Sequence, residues 1–235
     1  MKIAVVTRPN MHENSTRLSV LAALKEDGSF EVVECNDGHI PSDTDKILVF
    51  GGDGTVLQAV RDTHGSDVEI LSVNLGNMGF LATFENSVEP KKVIDALKNG
   101  VSAPRMLLEA VSDGKSIGRA LNEVVVKSVS SRPICIDLYV NESYVDSYHS
   151  DGIIVSTPTG STAYSFSAGG PVLTPDVEAI IINPVCPHSL HSRPLVVSAS
   201  AEIMLCMNST GVDGYDRGAE ASVSIDVEEV ARLNR

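Results

Sequence analysis

Residues 49–60 read VFGGDGTVLQAV. The apolar run KILVF (46–50) stops at Gly51 and Gly52. Asp53 follows, then Gly54, Thr55 and a second apolar stretch. A continuous apolar run suits a strand covered on both faces. Val56, Leu57, Ala59 and Val60 then recur at helical spacing before Gly65. Strand, glycine turn and helix open a βαβ unit, and βαβ units imply a parallel sheet. In open α/β sheets, ligands bind beyond the carboxyl ends of strands. Glycines there let backbone amides approach phosphate oxygens, and Thr55 is expected to cap the helix that faces them. A turn needs only the glycines, so Asp53 requires its own reason. A bare phosphate would repel it; a hydroxyl, or a metal already carried by the phosphate, would not.

The flanking sequence repeats the pattern. KIAVV (2–6) and EILSV (69–73) are further strands; Leu18, Leu21, Ala22 and Lys25 form a helical face stopped by Gly28. Residues 87–99 give a third helix, ended by Gly100. An α/β domain is therefore expected over 1–100. From 101 onward short strands take over: ICIDLYV, GIIVS, PLVVSAS and EIMLCM, with 109–126 reading as two strands around an Asp-Gly turn. This predicts a β-rich domain over 101–225. The tail, 226–235, is too short to be a domain and is expected to pack back on the first one. Asp-Gly occurs six times, at Asp27, Asp37, Asp53, Asp113, Asp151 and Asp213. A plain turn accounts for Asp27, Asp37 and Asp113, which sit among polar neighbours.

Composition narrows the function classes. The chain has 235 residues, 43% of them hydrophobic, and a net charge of −13. Such a balance argues against nucleic acid as a partner, which requires a basic patch. An anionic ligand must be held by local devices: glycine amides, helix N-termini, a metal or a few arginines. Cys35, Cys135, Cys186 and Cys206 are widely spaced with no C-x-x-C pair, which suits a reduced, cytoplasmic protein. The start, MKIAVV, reads as a strand rather than a signal peptide, and no run is long enough to cross a membrane.

Two further stretches carry chemistry. NLGNMGFLATF (74–84) is a second glycine-rich loop after a buried strand, and it offers Phe80 as a planar cover. YHSDGIIVSTPTGSTAYSFSAGGP (148–171) is rich in hydroxyls and glycine, but its apolar GIIV, Tyr164 and Phe166 are foreign to a linker. It reads as a polar pocket for sugar and base. Cys186, His188 and His191 in CPHSLHS resemble a zinc cluster but lack a fourth ligand. His12, His39 and His64 read as surface residues. Arg61 and Arg193 suit a phosphate, or equally a solvated helix face and a loop anchor.

GGDGT (51–55), NLGNMGFL (74–81), NE (122–123), SDGIIVSTPTGSTAYSFSAGGP (150–171) and CPHSLHSRPLVV (186–197), in this order, resemble the NAD kinase family. The likeness spans residues 47 to about 200. It implies a Rossmann-like α/β N-terminal domain and a β-rich, sandwich-like C-terminal domain. It implies phosphoryl transfer from ATP, or polyphosphate, to the adenosine ribose 2′-hydroxyl of NAD, with Mg²⁺ or another divalent metal. By that likeness Asp53 is the catalytic residue that meets the hydroxyl, and Gly51, Gly52, Gly54 and Thr55 form the phosphate-donor loop. Asp53, Gly54 and Phe80 also contact NAD. Asn122 and Glu123 hold the adenine and a ribose hydroxyl or bound metal. Asp151 lies near the nicotinamide amide, contributed across a subunit interface, so a homotetramer or homodimer is implied. Thr159, Thr162, Ala163, Tyr164, Ser165, Phe166 and Ser167 form the adenine–ribose wall. His149 and Tyr215 depart from the family pattern, standing where many relatives have Arg and Gln; a neutral His makes any phosphate contact there pH-dependent.

GGDGT alone is shared with lipid and sugar kinases, and the STPTGSTAY stretch separates this chain from them. A non-catalytic NADP-binding sensor would keep the pocket, but would have no need of Asp53.

Overall fold

The computed structural model describes residues 1–35, 38–63, 67–76, 79–189, 191–208 and 220–233. The chain divides into two compact units, Met1–Ala103 and Pro104–Arg235.

The first unit is the expected α/β layer. Strands β1 (Lys2–Thr7), β2 (Glu31–Glu34), β3 (Lys46–Phe50) and β4 (Glu69–Val73) form a parallel sheet in the order β2-β1-β3-β4. Helices α1 (Ser15–Asp27), α2 (Asp53–Asp62) and α3 (Pro90–Asn99) lie along the chain between and after them. Asn14 caps α1 through its side-chain oxygen, and Gly28 ends it at φ 70°, a left-handed conformation that costs glycine little. Apolar clusters on either side of the sheet account for the unbroken apolar runs. One gathers Ile3, Val5, Leu48 and Phe50 with Val20, Leu24, Val93 and Leu97; the other gathers Ala4, Val6, Ile47 and Val49 with Val56 and Ala59.

The second unit is β-rich. It contains β5 (Leu108–Ser112), β6 (Lys115–Ala120), β7 (Glu123–Ser128), β8 (Ile134–Val140), β9 (Ser143–Ser150), β10 (Gly152–Ser156), β11 (Ala179–Val185), β12 (Leu195–Ser198), β13 (Ile203–Met207), β14 (Ala221–Ile225) and β15 (Glu228–Leu233). A six-stranded sheet runs β12-β11-β10-β7-β14-β15, and a three-stranded one β13-β8-β9. Between β10 and β11 lie a 3₁₀ turn (Thr159–Thr162) and a short helix α4 (Tyr164–Ser167). A shared core holds the two sheets together: Val126, Ile153, Ile180 and Val223 from one, Ile134, Ile136, Leu138 and Tyr148 from the other.

Three expectations change. The stretch 109–126 is three strands, not two. The Asp113–Gly114 turn joins β5 to β6 with both residues at positive φ, but the chain breaks again at Leu121–Asn122 before β7. The tail, expected to pack on the first domain, builds the second unit: β15 pairs antiparallel with β14 and forms an outer strand of the six-stranded sheet. Its apolar Ala231 and Leu233 pack on the second unit's core. Thr55 does not cap α2. Gly52 takes the cap position in extended conformation, so the helix starts at Asp53 and Thr55 lies inside its first turn.

Candidate functional site

In the first unit the site lies where the sheet order reverses. β1 is flanked by β2 and β3, so the crevice opens beyond the carboxyl ends of β1 and β3. Arg8 follows β1, and its amide donates to the carbonyl of Phe50 at the end of β3, 2.8 Å away. Gly51, buried, then turns the chain into α2. A Cβ on Gly51 would lie 2.2 Å from Thr55 Oγ1, so only glycine lets the first turn close against this strand end. A cleft of about 750 Å³ is lined here by Thr7, Arg8, Cys35, Gly52, Gly54 and Thr55, among others. The N-terminus of α2 carries the positive end of the helix dipole; Thr55 N and Val56 N donate to Gly52 O, which leaves the amides of Asp53 and Gly54 at the helix start. Arg8 is exposed and pairs with no carboxylate among the described residues.

Asp53 is the first residue of α2 and half-buried. Its carboxylate accepts from the backbone amides of Phe80, at 2.9 Å, and Leu81, at 3.1 Å. The second glycine loop is folded back to make this possible. Phe84 N donates to Ser72 O, Ser72 Oγ donates to Leu81 O, and Asn74 Oδ1 accepts from Gly76 N. Gly79 is the close approach: a Cβ there would stand 2.1 Å from Asp53 Oδ1. The two glycine-rich motifs thus meet at one carboxylate. Phe80 is 79% exposed, an unpaired aromatic face beside it.

In the second unit, Asn122 and Glu123 sit at the break before β7. Every backbone polar group of Leu121, Asn122 and Glu123 is engaged. Asp226 Oδ2 accepts from Leu121 N at 2.8 Å, and Asp226 Oδ1 from Asn122 N at 2.7 Å and Glu123 N at 3.2 Å. Thr157 Oγ1 donates to Leu121 O, while Thr157 N and Ser156 Oγ donate to Asn122 O. Asp226 N donates to Glu123 O. Gly160 packs against this segment so closely that a Cβ would be 2.1 Å from Asn122 O. The chemistry left over belongs to the side chains. Glu123 is buried, and its Oε2 has no hydrogen-bond partner among the described residues. Burial first, and then the charge of Asp226, push its carboxyl up to about 7.

The long hydroxyl-rich motif divides into two roles. Ser156, Thr157, Thr159, Ser161 and Ser165 point inward and are buried. Ser161 Oγ donates to Pro158 O and accepts from Leu173 N, and Ser165 O accepts from Asn183 Nδ2 and Gly170 N. They hold the loop. Thr162, Ala163 and Tyr164 are half-buried, and Phe166 and Ser167 are exposed. Tyr164 packs against Val125, Ile154 and Val185, whereas the Phe166 ring is 58% exposed. His149, in β9, makes an edge-to-face contact with His188 at 4.8 Å between ring centres. Asp151 is half-buried, and a Cβ at the next residue, Gly152, would lie 2.4 Å from Val126 O. Tyr215, Asp37, His64 and Asp213 lie outside the described residues.

No group of three His, Cys, Asp or Glu able to hold a metal occurs among the described residues. Asp62 is the carboxylate that lines the cleft, and Asp53 stands in the glycine turn between the lining residues Gly52 and Gly54.

Asp226 and Gly79 are the residues that sequence reasoning missed as part of the site. Asp226 sits in SIDVEEV, whose local signal is only a hairpin turn. Gly79 was visible as a loop glycine, but the carboxylate that requires it lies in another motif.

The ATP-NAD kinase N-terminal domain model matches residues 3–102, and the ATP-NAD kinase C-terminal domain model matches 121–229. An NAD kinase of Caldanaerobacter subterraneus is 47% identical over 173 residues, 71% of this chain and 61% of the relative. Those of Syntrophotalea carbinolica and Lachnoclostridium phytofermentans are 43% and 38% identical over 72% and 84% of this chain. The matched stretch spans 62% and 76% of those two relatives' lengths. An Archaeoglobus fulgidus NAD kinase crystallised with ATP superposes with a TM-score of 0.80 at 27% identity, covering 100% of this chain and 90% of that one. Yeast NADH kinase, crystallised with NADH, shares the fold at a TM-score of 0.81 and 24% identity, over 100% of this chain and 80% of that one. With a glycine-cradled acid at the switch point and both domain models matched in order, the chain belongs to the NAD kinase family.

Proposed function

We propose that the chain is an NAD kinase, moving a phosphoryl group from ATP or polyphosphate to the adenosine ribose 2′-hydroxyl of NAD. The observation that carries this reading is Asp53, an acid in a glycine turn at the switch point, aimed by the Phe80 and Leu81 amides. Phosphoryl transfer demands positioning and charge neutralisation more than covalent chemistry. Each Asp53 oxygen keeps a further lone pair for the 2′-hydroxyl and is placed to take its proton. Gly52 and Gly54 leave the backbone open to donor phosphates, with Arg8 on the rim of the same cleft. A divalent cation, Mg²⁺ or another, supplies charge neutralisation at the donor phosphates, and Asp53 is the residue placed to hold it. Asn122 and Glu123 take the adenosine, with Thr162, Ala163, Phe166 and Ser167 as its wall and the buried Thr159 and Ser165 holding that wall from behind. His149 and Asp151 serve the nicotinamide side.

The match of residues 121–229 to the ATP-NAD kinase C-terminal domain disfavours the lipid- and sugar-kinase alternative. The sensor alternative leaves Asp53 unexplained. We place the enzyme in the cytoplasm, in keeping with Cys35, Cys135, Cys186 and Cys206 forming no disulfide; no helix among the described residues is long and apolar enough to cross a membrane.

The test is incubation with ATP, Mg²⁺ and NAD, followed by an NADP-specific assay. Asp53→Asn keeps shape and removes the base; kcat should fall roughly 10²–10⁴-fold with KM for NAD little changed. Near-normal turnover in that variant would remove Asp53 from the chemistry. We also infer a homo-oligomer, tetramer or dimer. The three-stranded sheet exposes Tyr144, Val145 and Met204, and light scattering should give a species larger than the 24.9 kDa chain.

A further inference from the structure

We propose that Asp226 is a positioning residue of the nucleotide site: its carboxylate gathers the Leu121, Asn122 and Glu123 amides and so presents the Asn122 and Glu123 side chains to NAD. The inference rests on the functional reading above.

The local sequence does not choose this turn for its own sake. Asp226 and Val227 join β14 to β15 at φ 45° and 73°. A two-residue hairpin of this kind prefers Asn-Gly. A β-branched residue in the left-handed region is strained, and Val227 is 85% exposed, so packing does not repay it. What the turn achieves is to bury Asp226 completely, with both oxygens on three amides of a distant segment. Buried charges persist where such bonds satisfy them.

The segment it holds interrupts the strand pattern. β6 ends at Ala120 and β7 begins at Glu123, and without ladder partners the intervening amides need an acceptor. Asp226 supplies it from one side; Thr157, Ser156 and Gly160 close the other. With every backbone group spent, the ligand can be met only by side chains. One of these, Glu123 Oε2, is buried without a partner. That is the arrangement expected of an acceptor whose partner is a ligand hydroxyl.

Asp226 also acts on Glu123 through charge. β10 places the uncharged Ser156 opposite Glu123, α4 brings the Tyr164 amide, and the β14–β15 turn brings Asp226 as the charged group. An ionised Glu123 accepts ribose hydroxyls more strongly than a neutral one. KM for NAD should therefore be lower above about pH 7 and rise as the pH falls through that value. Removing the Asp226 charge lets Glu123 ionise more readily and moves this inflection to lower pH.

The experiment measures KM and kcat for NAD from pH 5.5 to 8.5 in the intact chain, with melting temperatures alongside. Asp226→Asn swaps one acceptor for a donor facing an amide. Loss of one charge-assisted bond is worth roughly tenfold, so KM should rise about tenfold, kcat should change far less, and the inflection should move acidward. A lower melting temperature with KM and its inflection unchanged would make Asp226 merely structural and overturn the proposal. Should Asp226→Asn not fold, Asp226→Glu decides: it keeps the charge but shifts the carboxylate off the three amides, so KM for NAD should rise several-fold with kcat little changed, and a KM like the wild type's overturns the idea. A wild-type chain that makes no NADP overturns the functional reading instead. An active chain with an undisturbed profile overturns only the role of Asp226.

Discussion

Gly79→Ala tests how tightly the two glycine motifs are coupled. The added methyl carbon would stand 2.1 Å from Asp53 Oδ1 and 2.6 Å from its carboxyl carbon. Ordinary contact begins near 3.4 Å, so the carboxylate or the loop must shift by more than about 1 Å. That distance breaks the bonds from Phe80 N and Leu81 N, which are 2.9 and 3.1 Å long. Gly79 has no positive φ, so the alanine strains nothing else in the backbone, and the effect is confined to the contact. A displacement of about 1 Å at a reacting group costs on the order of 10²-fold in rate. The expected result is a kcat for NADP formation lowered about a hundredfold, with KM for ATP changed little. Gly76→Ala is the control from the same loop. Its added carbon meets Arg8 Nη1 at 3.9 Å and Asn74 Oδ1 at 4.0 Å, both ordinary contacts, so kcat should stay within about twofold. A Gly79→Ala enzyme as active as the Gly76→Ala control would refute the claim that Gly79 exists to make room for Asp53.

Tyr164 and Phe166 separate the structural ring from the binding ring. Tyr164→Ala should lower the melting temperature by several degrees, since its ring rests on Val125, Ile154 and Val185, and Tyr164→Phe should restore it. Phe166→Ala should leave the melting temperature alone and raise KM for NAD about five- to 150-fold if the exposed ring stacks on a base; an unchanged KM would leave the stacking role to Tyr164, a possibility decided by the KM of its alanine variant. Arg8→Met should raise KM for ATP roughly tenfold at low salt and leave KM for NAD in place. The difference should narrow as ionic strength rises past about 0.15 M, where the screening length is about 8 Å; equal effects on both substrates would argue against a donor-phosphate contact.

The first unit was legible because its signals are local. Strands buried on both faces show as unbroken apolar runs, and Gly28 marks the end of α1 by its conformation. β2 escaped because EVVE is four residues long and only half-buried. The cap lies three residues before Thr55, at Gly52, because glycine can also take the cap position, and a glycine cap leaves no side-chain signal. In the second unit, 109–126 looked continuous because apolar alternation resumes in register on both sides of the Leu121–Asn122 break. Nothing within that window announces the break, since its cause is a carboxylate from the last hairpin.

GGDGT alone suits a phosphate site or a plain turn, and the hydroxyl-rich loop reads as a sugar and base pocket because its GIIV, Tyr164 and Phe166 are foreign to a linker. The motif could not say which of its hydroxyls face the ligand. Ser165 and Tyr164 stand in the same short helix as Phe166, yet Ser165 is buried, Tyr164 joins the core and Phe166 is exposed. A four-residue helix turns its side chains through a full circle, so one motif supplies both buried anchors and exposed side chains. Asp226 is the extreme case of an anchor. It bears on the site through three amides rather than a side chain. An acceptor of that kind can come from any part of the chain the fold brings near, and no spacing rule confines it.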